Sequence, residues 1–261
     1  MFVLHRSFSG AALFTAMVAL AACGESVKEW IDQRRPAMVE QLARIDRVRE
    51  LAHSEPRVEW PSMRDPGRLA ICELVVPAYR EAGCDTWVID QAQLDAPGAF
   101  LDPPQPIRYG QGDWLVMSKA LTETGRFPPN KSYPDGDAPD RLTRPIIYAF
   151  EQLLQTRFVI VVRTEEMVRP RLAEDQKSYD AGKFRGDAIL YQLLPEPHSL
   201  GVVPFAYVQA GDLKVRMRHG GIDAAQIDKA FADGVRQALA EALVDRLHNL
   251  ERPPAAPGPA N

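Results

Sequence analysis

Few residues in this chain of 261 are of a type and spacing that could carry chemistry. The three cysteines, Cys23, Cys72 and Cys84, could serve as nucleophiles, soft metal ligands or disulfide partners. They form no CxxC step, and His53, His198 and His248 are isolated, with no HExxH or DxD cluster at ligand spacing, so neither a metal site nor a cofactor is expected. A row of cations, Lys214, Arg216 and Arg218, alternates with Leu213, Val215 and Met217. On a strand the three cations share one face, a candidate anion-binding face for a lipid headgroup, a glycan phosphate or an acidic protein. The same row would also blunt an exposed strand against edge-to-edge pairing.

Other short patterns are weaker. His219-Gly220-Gly221 has the letters of an esterase oxyanion loop, but the partner motif GxSxG is missing, and the triplet reads as a strand end beside a glycine turn. Gly182-Lys183-Phe184-Arg185-Gly186 lacks the GxxxxGK[ST] spacing of a phosphate loop, and its glycines read as a turn into a strand. Residues 133–140 gather Asp135, Asp137 and Asp140 without the twelve-residue pattern or closing Glu of a calcium loop, which favours a solvated turn. No catalytic residue is assigned.

The position of Cys23 is more informative. A short basic start (His5, Arg6) precedes an apolar segment from Phe8 to Ala22, broken only by Ser9, Gly10 and Thr15, and the chain turns polar directly after Cys23. Those 15 residues would cover about 22 Å as a helix, short of the roughly 30 Å hydrocarbon thickness of a bilayer. The segment therefore reads as an export signal. Ala19-Leu20-Ala21 fits an ordinary small-residue cleavage site, while Leu20-Ala21-Ala22-Cys23 resembles the lipobox of bacterial lipoprotein signal peptides. The resemblance covers the first 23 residues, and the rest of the chain resembles no named family. It implies that the Cys23 sulfur receives a diacylglycerol, that the peptide is cut before it, and that the new amine is acylated, so that palmitate-type chains hold Cys23 to a bilayer. Each buried methylene contributes about 0.8 kcal/mol, and two or three chains make a stable anchor where one does not. In Gram-negative lipoproteins an Asp after the cysteine favours retention in the inner membrane; here Gly24 follows, which implies the outer membrane, facing the periplasm.

Export would leave Cys72 and Cys84 in an oxidising compartment, where an even number of thiols favours a disulfide over two free buried thiols. A bridge would close a loop of about 13 residues and stabilise by roughly 3 kcal/mol. One continuous helix over 72–84 would hold the two Cα atoms about 18 Å apart, so the bridge requires a turn, for which Pro77 and Gly83 are available.

The remaining elements set the frame. Residues 27–52 place Val27, Ile31, Met38, Leu42, Ile45 and Leu51 at three-, four- and seven-residue steps, which predicts an amphipathic helix kinked near Pro36, its stripe docked on the body or forming a self-associating stalk. Further helices are predicted over 113–124 and 140–155, with a short strand over 86–90. Strands are predicted over 157–163, 185–194, 201–209 and 213–218, the last two joined by a tight turn at Gly211-Asp212. Pro204 cannot donate to a ladder and predicts a bulge or a locally unpaired strand. Asp223 and Gln226 then offer a capping pair for a long helix with Ile227, Phe231, Val235, Leu239 and Leu243 at every fourth position.

The fold class expected is thus α+β: an antiparallel β-meander with helices on one face, preceded by the amphipathic helix. The divisions are a signal peptide (1–22), a lipid-anchored helix (23–56), a globular domain (57–251) and a Pro-rich tail (252–261) that cannot pack. Formal charge is −4; removing the first 22 residues takes away Arg6 alone and leaves 30 basic against 35 acidic groups, or −5. That balance gives no attraction to nucleic acid. The expected function is a non-enzymatic envelope lipoprotein that docks a partner protein or an anionic envelope component, with a tethered envelope hydrolase of dispersed active site as the second reading.

Overall fold

A computed structural model describes residues 27–66, 85–96, 111–124, 144–174, 178–209, 217–218 and 221–248. Its first element, α1 (Val27–Ser54), is the predicted amphipathic helix and runs on through Pro36. Trp30, Ile31, Met38, Leu42, Ile45, Val48 and Ala52 are buried along it, so the stripe is docked and only its charged side is solvated.

After β1 (Ser62–Met63) come β2 (Thr86–Asp90), the short α2 (Gln91–Asp95), α3 (Gln111–Thr124) and α4 (Arg144–Gln155). Three long strands then form a meander: β3 (Phe158–Val168), β6 (Lys183–Gln192) and β7 (His198–Val208), with the small pair β4 (Arg171–Leu172) and β5 (Tyr179–Asp180) between the first two. The main sheet has the order β1-β7-β6-β3-β2. Its pairs are antiparallel except β2 with β3, which run parallel from Thr86↔Phe158 to Asp90↔Val162. A parallel neighbour needs a long crossover, and the helices between residues 91 and 157 supply it. The α+β class holds, with a mixed sheet in place of a purely antiparallel one.

Helices cover both faces, where cover on one face was expected. On one side α5 (Ala224–His248) lays Phe231, Val235, Leu239 and Leu243 on Val88, Ile160, Val162, Phe184, Leu190 and Val203. On the other, Leu42, Ile45, Val48 and Ala52 of α1, with Leu94, Leu115 and Leu153 of α2 to α4, cover Trp87, Ile89, Val159, Val161, Ile189 and Tyr191. Successive residues of β3 point to opposite faces, and residues 158–162 are apolar at every position, which only a sheet covered on both sides can bury.

Pro204 sits in register opposite Asp187 without a bulge; the irregularity falls at Leu190/Tyr191 instead. Because β1 pairs with Gly201 and Val202, Pro204 lies where β7 is the sheet edge among the described residues, and its missing N–H breaks no ladder there. Of the strand predicted over 213–218, Met217 and Arg218 are described: they form β8, paired with β9 (Gly221–Ile222) in a separate two-stranded sheet. Residues 210–216, including the Gly211-Asp212 turn, lie outside the described residues. The cap of α5 is as predicted: Ala225 N–H donates to the Asp223 carboxylate at 3.0 Å.

Candidate functional site

Cys23, Cys72, Cys84, Lys214, Arg216 and the 133–140 loop all lie outside the described residues, and of Arg218 only the backbone in β8 is described. What the fold does gather is a polar cluster that sequence spacing did not disclose. It forms where α1 ends beside the carboxyl ends of β2 and of the paired part of β3.

At its centre Arg163 of β3 faces Asp187 of β6, its register partner. The guanidinium meets the carboxylate through two bonds, Nε to Oδ1 and Nη2 to Oδ2, both 2.7 Å, and both residues are buried. Its remaining donors reach backbone carbonyls at the end of α1: Nη1 to Ala52 at 3.3 Å and to Glu55 at 2.5 Å, and Nη2 to Pro56 at 3.3 Å. A buried cation is thereby fully occupied, and it sits at the negative end of a helix dipole. Arg57 lies at the rim, 3.9 Å from both Asp187 and Glu165.

Next to this staple, His53 is not isolated as its sequence context suggested. Its Nε2 is 2.8 Å from Asp95 Oδ1, and the Gln91 amide donates to its Nδ1 at 3.1 Å. Both partners belong to α2. With Nδ1 accepting, Nε2 carries the proton and donates it to Asp95, which leaves neither ring nitrogen with a lone pair for a substrate. Asp90, at the end of β2, caps α2 by accepting from Ala92 N–H at 2.8 Å. It is 3% exposed, and burial pushes its carboxyl from 3.8 up to about 6, against the pull of the Ala92 and Gln93 N–H groups and with a further push from Asp95.

On the sheet face under α1, the Tyr191 hydroxyl is buried without a hydrogen-bond partner, while Ser199 donates to the Glu55 carboxylate at 3.0 Å. Burial first, and then the Glu55 carboxylate, holds the Tyr191 phenol well above its ordinary range.

Chemically, this cluster is better suited to fixing elements than to turning over a substrate. Each charged member is bonded to a neighbouring element, and among the described residues the imidazole's partners are the Gln91 amide and the Asp95 carboxylate rather than a nucleophile. Among the described residues no group of three or more His, Cys, Asp or Glu side chains is placed to hold a metal ion, and no helix is long and apolar enough to cross a membrane. Of the other sequence features, Gly182 does stand at the entry to β6, where its N–H donates to Gln209 Oε1 at 3.0 Å. Gly186 is inside the strand rather than in a turn, at a site where a Cβ would lie 2.3 Å from the Arg163 carbonyl. No protein-family model, curated protein or solved structure shows a significant match to this chain.

Proposed function

We propose that this protein is an exported bacterial lipoprotein, held to the outer membrane through acylated Cys23 and facing the periplasm, where it acts as a non-enzymatic docking or accessory module. The observation that carries the proposal is Leu20-Ala21-Ala22-Cys23 at the end of an apolar segment too short to span a bilayer. One feature agrees with it: α1 commits its apolar stripe to the sheet, so that stripe is not left free to hold the chain to a bilayer. The partner would be an envelope protein or an anionic envelope component.

The test is Cys23→Ser, followed by metabolic labelling with palmitate and detergent phase partitioning. The native protein should take up label and enter the detergent phase, and the variant should do neither. A labelled, detergent-phase variant would overturn the proposal.

A second reading, a tethered hydrolase, draws on the meeting of His53, Asp95 and the raised carboxyl of Asp90. It requires His53 to leave Gln91 or Asp95 before acting as a base. If His53→Gln leaves every phenotype of a deletion strain complemented, that reading is removed.

A further inference from the structure

The chain between the residue proposed to bear the lipid and the first described helix is very short. From Cys23 to Val27 there are four Cα steps, which at full extension span about 14 Å. The helix at the end of that leash is no loose stalk. Trp30, in the first turn of α1, is buried against Phe150 of α4 with ring centroids 5.7 Å apart, and Arg34 stacks over Trp30 at 4.3 Å. Arg35 bonds the Thr122 carbonyl in the last turn of α3. The start of α1 is therefore fixed to the body, and its far end is stapled to the sheet by Arg163. From Val27 to Ser54 the helix extends roughly 40 Å.

We propose that the pole of the domain where α1 begins rests on the bilayer that holds the Cys23 lipid, and that the end of α1, α2 and the β3–β6 strands beyond Arg163 stand away from it. This rests on the lipid-anchor reading. The leash brings one end of a rigid body to the headgroups, and its length, rather than charge, does the positioning. The flank of α1 has little to draw it down onto a membrane, because its exposed ions pair with one another, Arg44 with Glu40 at 2.5 Å and Arg47 with Glu50 at 2.6 Å. The exported chain carries 30 basic against 35 acidic groups, which gives no net pull toward anionic lipid. A partner in the compartment would then meet the α2 end first.

The experiment uses the full chain, lipid-modified in cells and reconstituted into liposomes whose headgroups carry an acceptor dye. A donor is attached through azidophenylalanine at Gln33 or at Ser54, both exposed positions on α1. Both forms should co-float with liposomes, and the donor at 54 should read roughly 30 Å farther from the headgroups than the donor at 33. A long Gly-Ser insertion after Ser26 should erase that difference. Equal transfer from both sites in co-floating, uninserted protein would overturn the orientation and leave the anchor standing. Failure of both forms to co-float would overturn the anchor, and the orientation with it.

Discussion

Arg163 and Asp187 together hold the end of α1 on the sheet, and their burial decides what substitution does. A buried pair gains little over well-packed apolar residues, because desolvation offsets its attraction, but a single partner left behind is an uncompensated charge. Arg163→Ala should therefore cost about 3–5 kcal/mol in denaturant unfolding, while Arg163→Met with Asp187→Leu should cost much less than either change alone. Equal losses for the single and double variants would contradict this. Asp90 gives a second test. Its carboxyl titrates higher in the fold than in the unfolded chain, so its contribution is full below about pH 4 and lost as pH rises through about 6. The rise from 3.8 to about 6 corresponds to about 3 kcal/mol. Asp90→Asn keeps an acceptor for Ala92 N–H; it should be more stable than the native protein at pH 8 and should flatten the stability profile between pH 4 and 8. Neither group was visible as a site in the sequence. Arg163 and Asp187 stand 24 residues apart, and His53 and Asp95 42 apart, and no spacing rule links positions that only tertiary folding brings together.

Among the elements, α5 was legible almost residue by residue. Its four-residue repeat named Ile227, Phe231, Val235, Leu239 and Leu243, and all five are buried. Periodicity could not show how closely the helix approaches the sheet. A Cβ at Gly234 would lie 2.1 Å from the Tyr207 ring of β7, so this glycine marks a tight crossing. Gly234→Ala should lower stability by roughly 1–3 kcal/mol by thermal unfolding, although alanine is the better helix former by about 1 kcal/mol. Adding Tyr207→Leu should recover part of the loss. At the other edge, Gly201 has φ 150°, and a Cβ there would lie 1.9 Å from the Ser62 carbonyl. Gly201→Ala should release β1, seen as faster amide exchange at Arg64, whose N–H donates to Leu200 at 2.7 Å. The strands of the meander were legible too, but their pairing was less so. The run of 158–162 reads in the sequence as a buried strand in a sheet covered on one face, although five apolar positions in a row need cover on both, and strand 86–90 carries no mark of its parallel partner.

Over the whole described fold, helices cover both faces of the five-stranded sheet and make a three-layer body. The fold and the proposed attachment draw on separate parts of the chain: the packed elements on residues 27–248, the lipid on the first 23. The most direct test is mass spectrometry of the mature N-terminal peptide from the native protein purified out of cell envelopes. The lipoprotein reading predicts a chain that starts at Cys23 and carries the added mass of diacylglycerol with an acylated amine. A chain that starts at Ala22, with Cys23 unmodified, would contradict it.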